Sequence, residues 1–192
     1  EKNQMHDVYT GIQTARPVNF GFKDNIPILF RDFGIHAVNP TAIYPFGGFT
    51  IDGNYLNTLV ADNDGVVEAG IYIFDSHNLG DLEDSRITDN TVRIRNTTDG
   101  ISIASVDHWL LDDNHIYFQN HLGNLPHTTN GIGLVNSSSN ELYGNTVTDN
   151  STNALKSDFG FHTCTSQANI FCCNSTALTD WGLFFDGTCD NT

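Results

Sequence analysis

Positive charge is scarce in this chain. Its 192 residues carry only 8 Lys and Arg against 23 Asp and Glu, a net charge of −15. Binding to nucleic acid or to anionic membranes relies on basic residues that displace counterions, so neither partner is expected. Long apolar runs are missing too. The longest, Ile26-Pro27-Ile28-Leu29-Phe30, is far shorter than the roughly 18 residues of a membrane span, so no membrane insertion is expected. Helical periodicity is absent, because Gly, Asn and Asp interrupt every candidate segment. No signal peptide is visible, and the first residue is Glu1 rather than Met; this predicts a mature form that has lost its targeting segment. Only 16% of residues are charged, too few for a disordered acidic tail, while 39% are hydrophobic, with 13 Phe and 6 Tyr. That apolar mass can bury the core of one domain or one short solenoid.

The four cysteines, Cys164, Cys172, Cys173 and Cys189, are confined to the C-terminal part. They form no CxxC pair, and the nearest histidine is His162, so the spacing is not that of a zinc site. A disulfide staple is the expectation, with Cys172 and Cys173 each pairing elsewhere, with Cys164 and Cys189, in an order that spacing leaves open. That implies an oxidising compartment, extracellular or at the cell surface; buried reduced thiols are the alternative. Four Asn-x-Ser/Thr sequons, at Asn96, Asn136, Asn150 and Asn174, are glycosylation candidates where the source has that machinery.

What the chain does have is a period. Gly70, Gly100, Gly131, Gly160 and Gly182 recur at intervals of 30, 31, 29 and 22 residues, each opening an alternating apolar stretch. One residue on stand Ile71, Ile101, Ile132, Phe161 and Leu183; three residues on stand Ile73, Ile103, Leu134, Thr163 and Phe185. This is the pattern of a strand with one face buried. Nine residues after the last three glycines come Asn140, Asn169 and Asn191; fourteen after Gly100, Gly131 and Gly160 come Asn114, Asn145 and Asn174. Each repeat therefore reads as about three short strands with tight polar corners, the glycines turning the chain and the asparagines hydrogen-bonding to their copies on the next rung.

Residues Gly131 to Asn145, Gly-Ile-Gly-Leu-Val-Asn-Ser-Ser-Ser-Asn-Glu-Leu-Tyr-Gly-Asn, resemble the repeat of right-handed parallel β-helix proteins. That pectin-lyase-like group includes carbohydrate-binding and sugar-hydrolase repeat modules. The resemblance covers residues from about 50 to 192 and implies an all-β, right-handed parallel β-helix solenoid of about five to six coils. Residues 49–192 are the expected repeats, closed by a cysteine-rich rung, and residues 1–48, outside the glycine frame, the expected irregular N-terminal cap. The 22-residue repeat approximates a bare rung. Extra residues in the longer repeats fall within 115–130 and 146–159 and are expected as loops, with an equivalent excursion in 85–99.

Inverting sugar hydrolases of the polygalacturonase type in this fold use, in order, Asn-Thr-Asp, Asp-Asp, Gly-His-Gly and Arg-Ile-Lys motifs. The chain offers Thr88-Asp89-Asn90, Asp112-Asp113 and Arg93-Ile94-Arg95 in a different order, with no Gly-His-Gly. Asp112 and Asp113 are thus weak catalytic candidates, read as corner residues. A polyuronate lyase needs an Arg or Lys to take the proton, often with Ca²⁺ neutralising the carboxylate; Arg93 and Arg95 are the candidates, read as an outward surface pair near Asp89. Asp62, Asp64 and Glu68 resemble part of a calcium loop but fail its spacing, since Val60 and Ile71 fall at its first and last positions. His115, His121 and His127 share a stretch with Asp112 and Asp113 at a spacing that converges no metal ligands. No cofactor is expected.

The resulting expectation is an extracellular structural or adhesive module without catalytic activity, able to stack through its ends into fibres. The alternative is a carbohydrate-active protein, a polyuronate lyase, hydrolase or epimerase, or a glycan binder that stacks sugars on Tyr72, Trp109, Tyr117, Trp181 or Phe184.

Overall fold

The structure, a computed structural model, describes residues 4–16, 21–25, 28–38, 40, 49–58, 67–77, 85–94, 97–119, 129–151 and 158–186. These residues form eighteen strands and no helix. The first turn runs through Met5–Ala15, Gly21–Lys23 and the start of Ile28–Val38. The second takes the rest of that strand, then Thr50–Asp52 and Tyr55–Thr58. Val67–His77, Arg86–Thr88 and Thr91–Ile94 make the third, and Thr97–Asp107, Leu110–Asp112 and His115–Phe118 the fourth. Asn130–Val135, Glu141–Tyr143 and Thr146–Asp149 follow, then Phe159–Cys164, Ile170–Cys172 and Ser175–Ala177; Trp181–Asp186 opens a seventh turn. Strands of equal rank stack in parallel, giving three parallel sheets of six or seven strands. This is the right-handed parallel β-helix that the repeat predicts, with six turns among the described residues. The first and third sheets join at Ile28–Val38, where Ile28 pairs with Leu56 and Ile35 with Ile71.

The alternating residues stack as read. Ile35, Ile71, Ile101 and Ile132 lie over one another, as do Ala37, Ile73, Ile103 and Leu134, all fully buried. Val92, Ile116 and Val147 supply the facing column from the third sheet, and Ile51, Ile87, Leu111 and Leu142 that of the second. Each such side chain touches copies above and below, so the core is one continuous apolar rod.

The glycines do not turn the chain, contrary to expectation. Among the described glycines, positive φ occurs only at Gly53 and Gly144. The column Gly34, Gly70, Gly131 and Gly160 is set by crowding: a Cβ at any of them would stand 2.5–2.7 Å from the carbonyl oxygen of the next glycine. The same Cβ would also strike an inward side chain of the third sheet, such as Val92 beneath Gly70 or Val147 beneath Gly131.

The turning is done by other residues, among them Asp75, Ser105, Asn136 and Thr165 where each rung leaves the first sheet. Between the second and third sheets each rung spends two residues: a left-handed one, then a buried Asn. Asp24, Asp89, Asp113 and Cys173 are left-handed, with Gly53 and Gly144 in the same column. The short polar side chain of Asp tolerates that region better than most. The asparagines that follow, Asn25, Asn54, Asn90, Asn114, Asn145 and Asn174, form one ladder, each Nδ2 donating to the next Oδ1 at 2.8–3.0 Å.

Two expectations need correction. Residues 21–38, assigned to an irregular cap, belong to the frame: Gly34 enters the glycine column and Asn25 the asparagine ladder. The described part of 85–99, residues 85–94 and 97–99, holds regular strands rather than an excursion. Gly34 to Asn54 and Gly70 to Asn90 span 20 residues instead of 14, so Asn54 and Asn90 fall outside the fixed spacing of the later rungs.

Candidate functional site

The hydrolase and lyase candidates do not gather into one site. Asp112 and Asp113 lie at the corner between the second and third sheets, Asp113 as its left-handed residue. Burial raises the Asp112 carboxyl above the usual range, and the neighbouring Asp113 and Asp89 charges push it the same way. Arg93 projects outward from the third sheet, its guanidinium 5.4 Å from the Tyr55 ring and 5.9 Å from the Tyr117 ring. Those rings belong to the rungs on either side, so Arg93 sits in a cation–π stack. Asp62, Asp64, Arg95, Asn96, Cys189, His121, His127 and the Glu68 side chain lie outside the described residues.

Of the sequons described, Asn136 and Asn150 are exposed, whereas Asn174 is not free. Its Nδ2 donates to the Leu142 carbonyl at 2.7 Å and its Oδ1 accepts from Asn145. Its amide is thus engaged in the ladder, which leaves it less open to modification than Asn136 or Asn150.

The aromatic candidates separate by burial. Trp109 is core, fully buried, taking the place where the next two rungs carry Asn140 and Asn169. Its indole N–H donates to Ser76 Oγ at 3.1 Å, and Ser76 in turn donates to the Pro40 carbonyl. Tyr72 lies on the outward face of the first sheet, stacked with Phe33 at 5.6 Å and Phe74 at 6.3 Å. Farther along that face, Phe159 stacks on Phe184 at 4.7 Å, with His162 and Trp181 alongside.

Between these two ring clusters lies a carboxyl that sequence reasoning missed. Asp99 pairs in register with Asn130, whose Nδ2 donates to Asp99 Oδ1 at 2.5 Å. Part of the residue reaches solvent, but its carboxyl is enclosed, and burial raises it to about 6 despite hydrogen bonds from Asn130 and Ser102. Burial also lowers His162, against a smaller opposing effect of Asp186. Only the position of Asp99, immediately before a frame glycine, marks it in the sequence.

Cys164, Cys172 and Cys173 are free thiols, so no staple joins the three that are described. Cys164 ends a first-sheet strand, whereas Cys172 ends a second-sheet strand and Cys173 forms the adjoining corner. The Cys172 and Cys173 sulfurs are exposed and 3.1 Å apart. Hydrogen bonding to Cys173, and then its charge, pushes the Cys172 thiol up.

The full length of the chain, residues 1–192, matches the family model described as periplasmic copper-binding protein (NosD). The chain belongs to the NosD family. No match was found among curated proteins or among solved structures. The periplasmic description agrees, at a coarse level, with the expected location outside the cytoplasm, and no helix among the described residues is long and apolar enough to cross a membrane. The described residues bring no three His, Cys, Asp or Glu side chains together as metal ligands. They do not fit a copper centre of three or more such donors. The adjacent thiols of Cys172 and Cys173 are the donor type that monovalent copper prefers.

Proposed function

We propose that this NosD-family chain is a structural module of the cell envelope, without covalent chemistry, that stacks end to end with further copies of itself. The observation carrying this is Trp181–Asp186, the last strand among the described residues. Leu183 and Phe185 occupy the two columns that are core in the rungs before them, yet they are 44% and 45% exposed, beside Trp181 at 59%. An apolar cross-section with an open strand edge is a template for another parallel rung. Met5–Ala15 presents the opposite edge of the same sheet, with Ile12 in the column of Leu183 and Thr14 in that of Phe185. Contact between unlike ends is heterologous and does not close, so it yields filaments. Negative-stain imaging at neutral pH and moderate salt tests this: filaments of solenoid width support stacking, and uniform single particles at high protein concentration sink it.

Adhesion to glycans is the second reading, favoured by the ring clusters around Tyr72 and Phe184, which offer stacking faces for sugars. A glycan panel assayed for both binding and released ends separates adhesion from turnover. Copper binding is named in the family's description, and the described residues bring no three ligands together for it.

A further inference from the structure

We propose that the notch over Gly133, on the outward face of the first sheet, binds a primary alkylammonium group of the kind carried by a diamine or an amino sugar. The site is independent of end-to-end stacking. Two buried polar atoms there, Asn130 Oδ1 and His162 Nε2, make no hydrogen bond. Buried polar atoms are rarely left so, and a bound group is one reason for an exception. A carboxyl oxygen converges on the same place. A Cβ at Gly133 would stand 3.2 Å from Asp99 Oδ2 and 3.6 Å from Asn130 Nδ2, so both side chains gather where Gly133 has none.

Sheet register explains the convergence. Asn130 pairs with Asp99 in the rung before it, and Gly133 pairs with His162 in the rung after. Adjacent strands lie roughly 5 Å apart, so all three side chains start within one rung of the notch. Asp99, Asn130 and His162 each reach solvent in part, whereas Gly133 and Ser102 are buried. The notch is therefore recessed but reachable.

The chemistry suits a ligand that only donates. Asn130 Oδ1 is an acceptor. Burial lowers His162, and a neutral imidazole offers one ring nitrogen as a second acceptor. The Asp99 carboxyl, raised to about 6, still carries negative charge at neutral pH. An ammonium brings three donors and no acceptor to these three groups. Beside them, Phe159 and Phe184 stack at 4.7 Å and offer ring faces to a cation and its alkyl stem. A net charge of −15 favours the approach of cations. A quaternary ammonium has no N–H to give, and a carboxylate would meet Asp99 as a like charge.

The test is calorimetric titration of the full chain at neutral pH and moderate salt with putrescine, with glucosamine and with tetramethylammonium. Wild type should bind putrescine or glucosamine saturably, the one that binds separating free amine from amino sugar, and should not bind tetramethylammonium. Gly133→Ala, which fills the notch, and Asp99→Asn, which keeps its shape without its charge, should each weaken binding about tenfold or more. Both should keep the wild-type circular dichroism spectrum. Asp89→Asn, which removes a charge at a distant corner, should bind as wild type does. Equal binding of tetramethylammonium, or an equal loss in Asp89→Asn and Asp99→Asn, would reduce the effect to general attraction by an acidic chain and overturn the site. Absence of saturable binding by both amines also overturns it and leaves the two polar atoms to ordered water.

Discussion

Asn114 Nδ2 donates to Asn145 Oδ1 at 2.9 Å, and the same oxygen accepts the Asn114 backbone N–H at 3.1 Å. One side-chain oxygen thus receives two hydrogen bonds from the rung before it. Asn114 Nδ2 also donates to the Ile87 carbonyl at 2.8 Å, so a single amide ties three successive rungs together. No water reaches these groups, which makes the ladder costly to interrupt.

Replacing Asn114 by Ala strips the partner from the Asn90 N–H, removes one of the acceptors of Asn90 Nδ2 and leaves the Ile87 carbonyl without its side-chain donor. Orphaning such groups should cost about 3 kcal/mol or more. The urea midpoint should fall accordingly. Replacing exposed Asn150, outside this ladder, should change it little.

The glycine column makes a paired prediction. Gly131→Ala places a methyl 2.5 Å from the Gly160 carbonyl oxygen and against Val147, and should cost about 3 kcal/mol or more. Gly133→Ala, two residues away, meets nothing nearer than Asp99 Oδ2 at 3.2 Å, the far end of a side chain. Its cost should stay within about 1 kcal/mol. Thermal melting of the two variants checks both, and equal losses would refute crowding as the reason for the column.

Asp99 sets a pH dependence. Burial raises its carboxyl from 3.8 to about 6, so the folded chain holds the proton more tightly than the unfolded one. Its contribution to stability is complete below pH 3.8 and is lost as pH rises through about 6. Between pH 4 and pH 7 wild type should therefore lose more stability than Asp99→Asn, both measured by urea unfolding. The comparison cancels the general repulsion of an acidic chain; parallel pH profiles would contradict the assignment.

The sequons predict a map of modification. In a host with the glycosylation machinery, mass spectrometry should find glycan at Asn136 or Asn150 and none at Asn174, whose amide is engaged in the ladder.

The repeat was legible because the stacked residues touch their own copies, so one spacing rule served Gly100, Gly131 and Gly160 alike. It failed at Gly34 and Gly70, where six further residues separate glycine from asparagine. The columns could be read without their cause: a glycine chosen for a neighbouring carbonyl looks the same in sequence as one chosen for a turn. Trp109 was misplaced among sugar-stacking candidates because only the packed structure reveals the Ser76 hydroxyl that accepts its N–H. Asp99 was silent for a related reason. Its shifted carboxyl arises from enclosure by residues distant in the chain, not from any motif.

End-to-end stacking is the central claim, and sedimentation velocity tests it most directly. Because the chain carries a net charge of −15, repulsion between copies should be screened as salt rises, and the sedimentation coefficient should grow with both salt and protein concentration. The double variant Leu183→Lys, Phe185→Lys, which charges the exposed end, should remain a single species under the same conditions. Wild type that sediments as one small species at every salt and protein concentration, or a double variant that assembles as wild type does, would contradict the account.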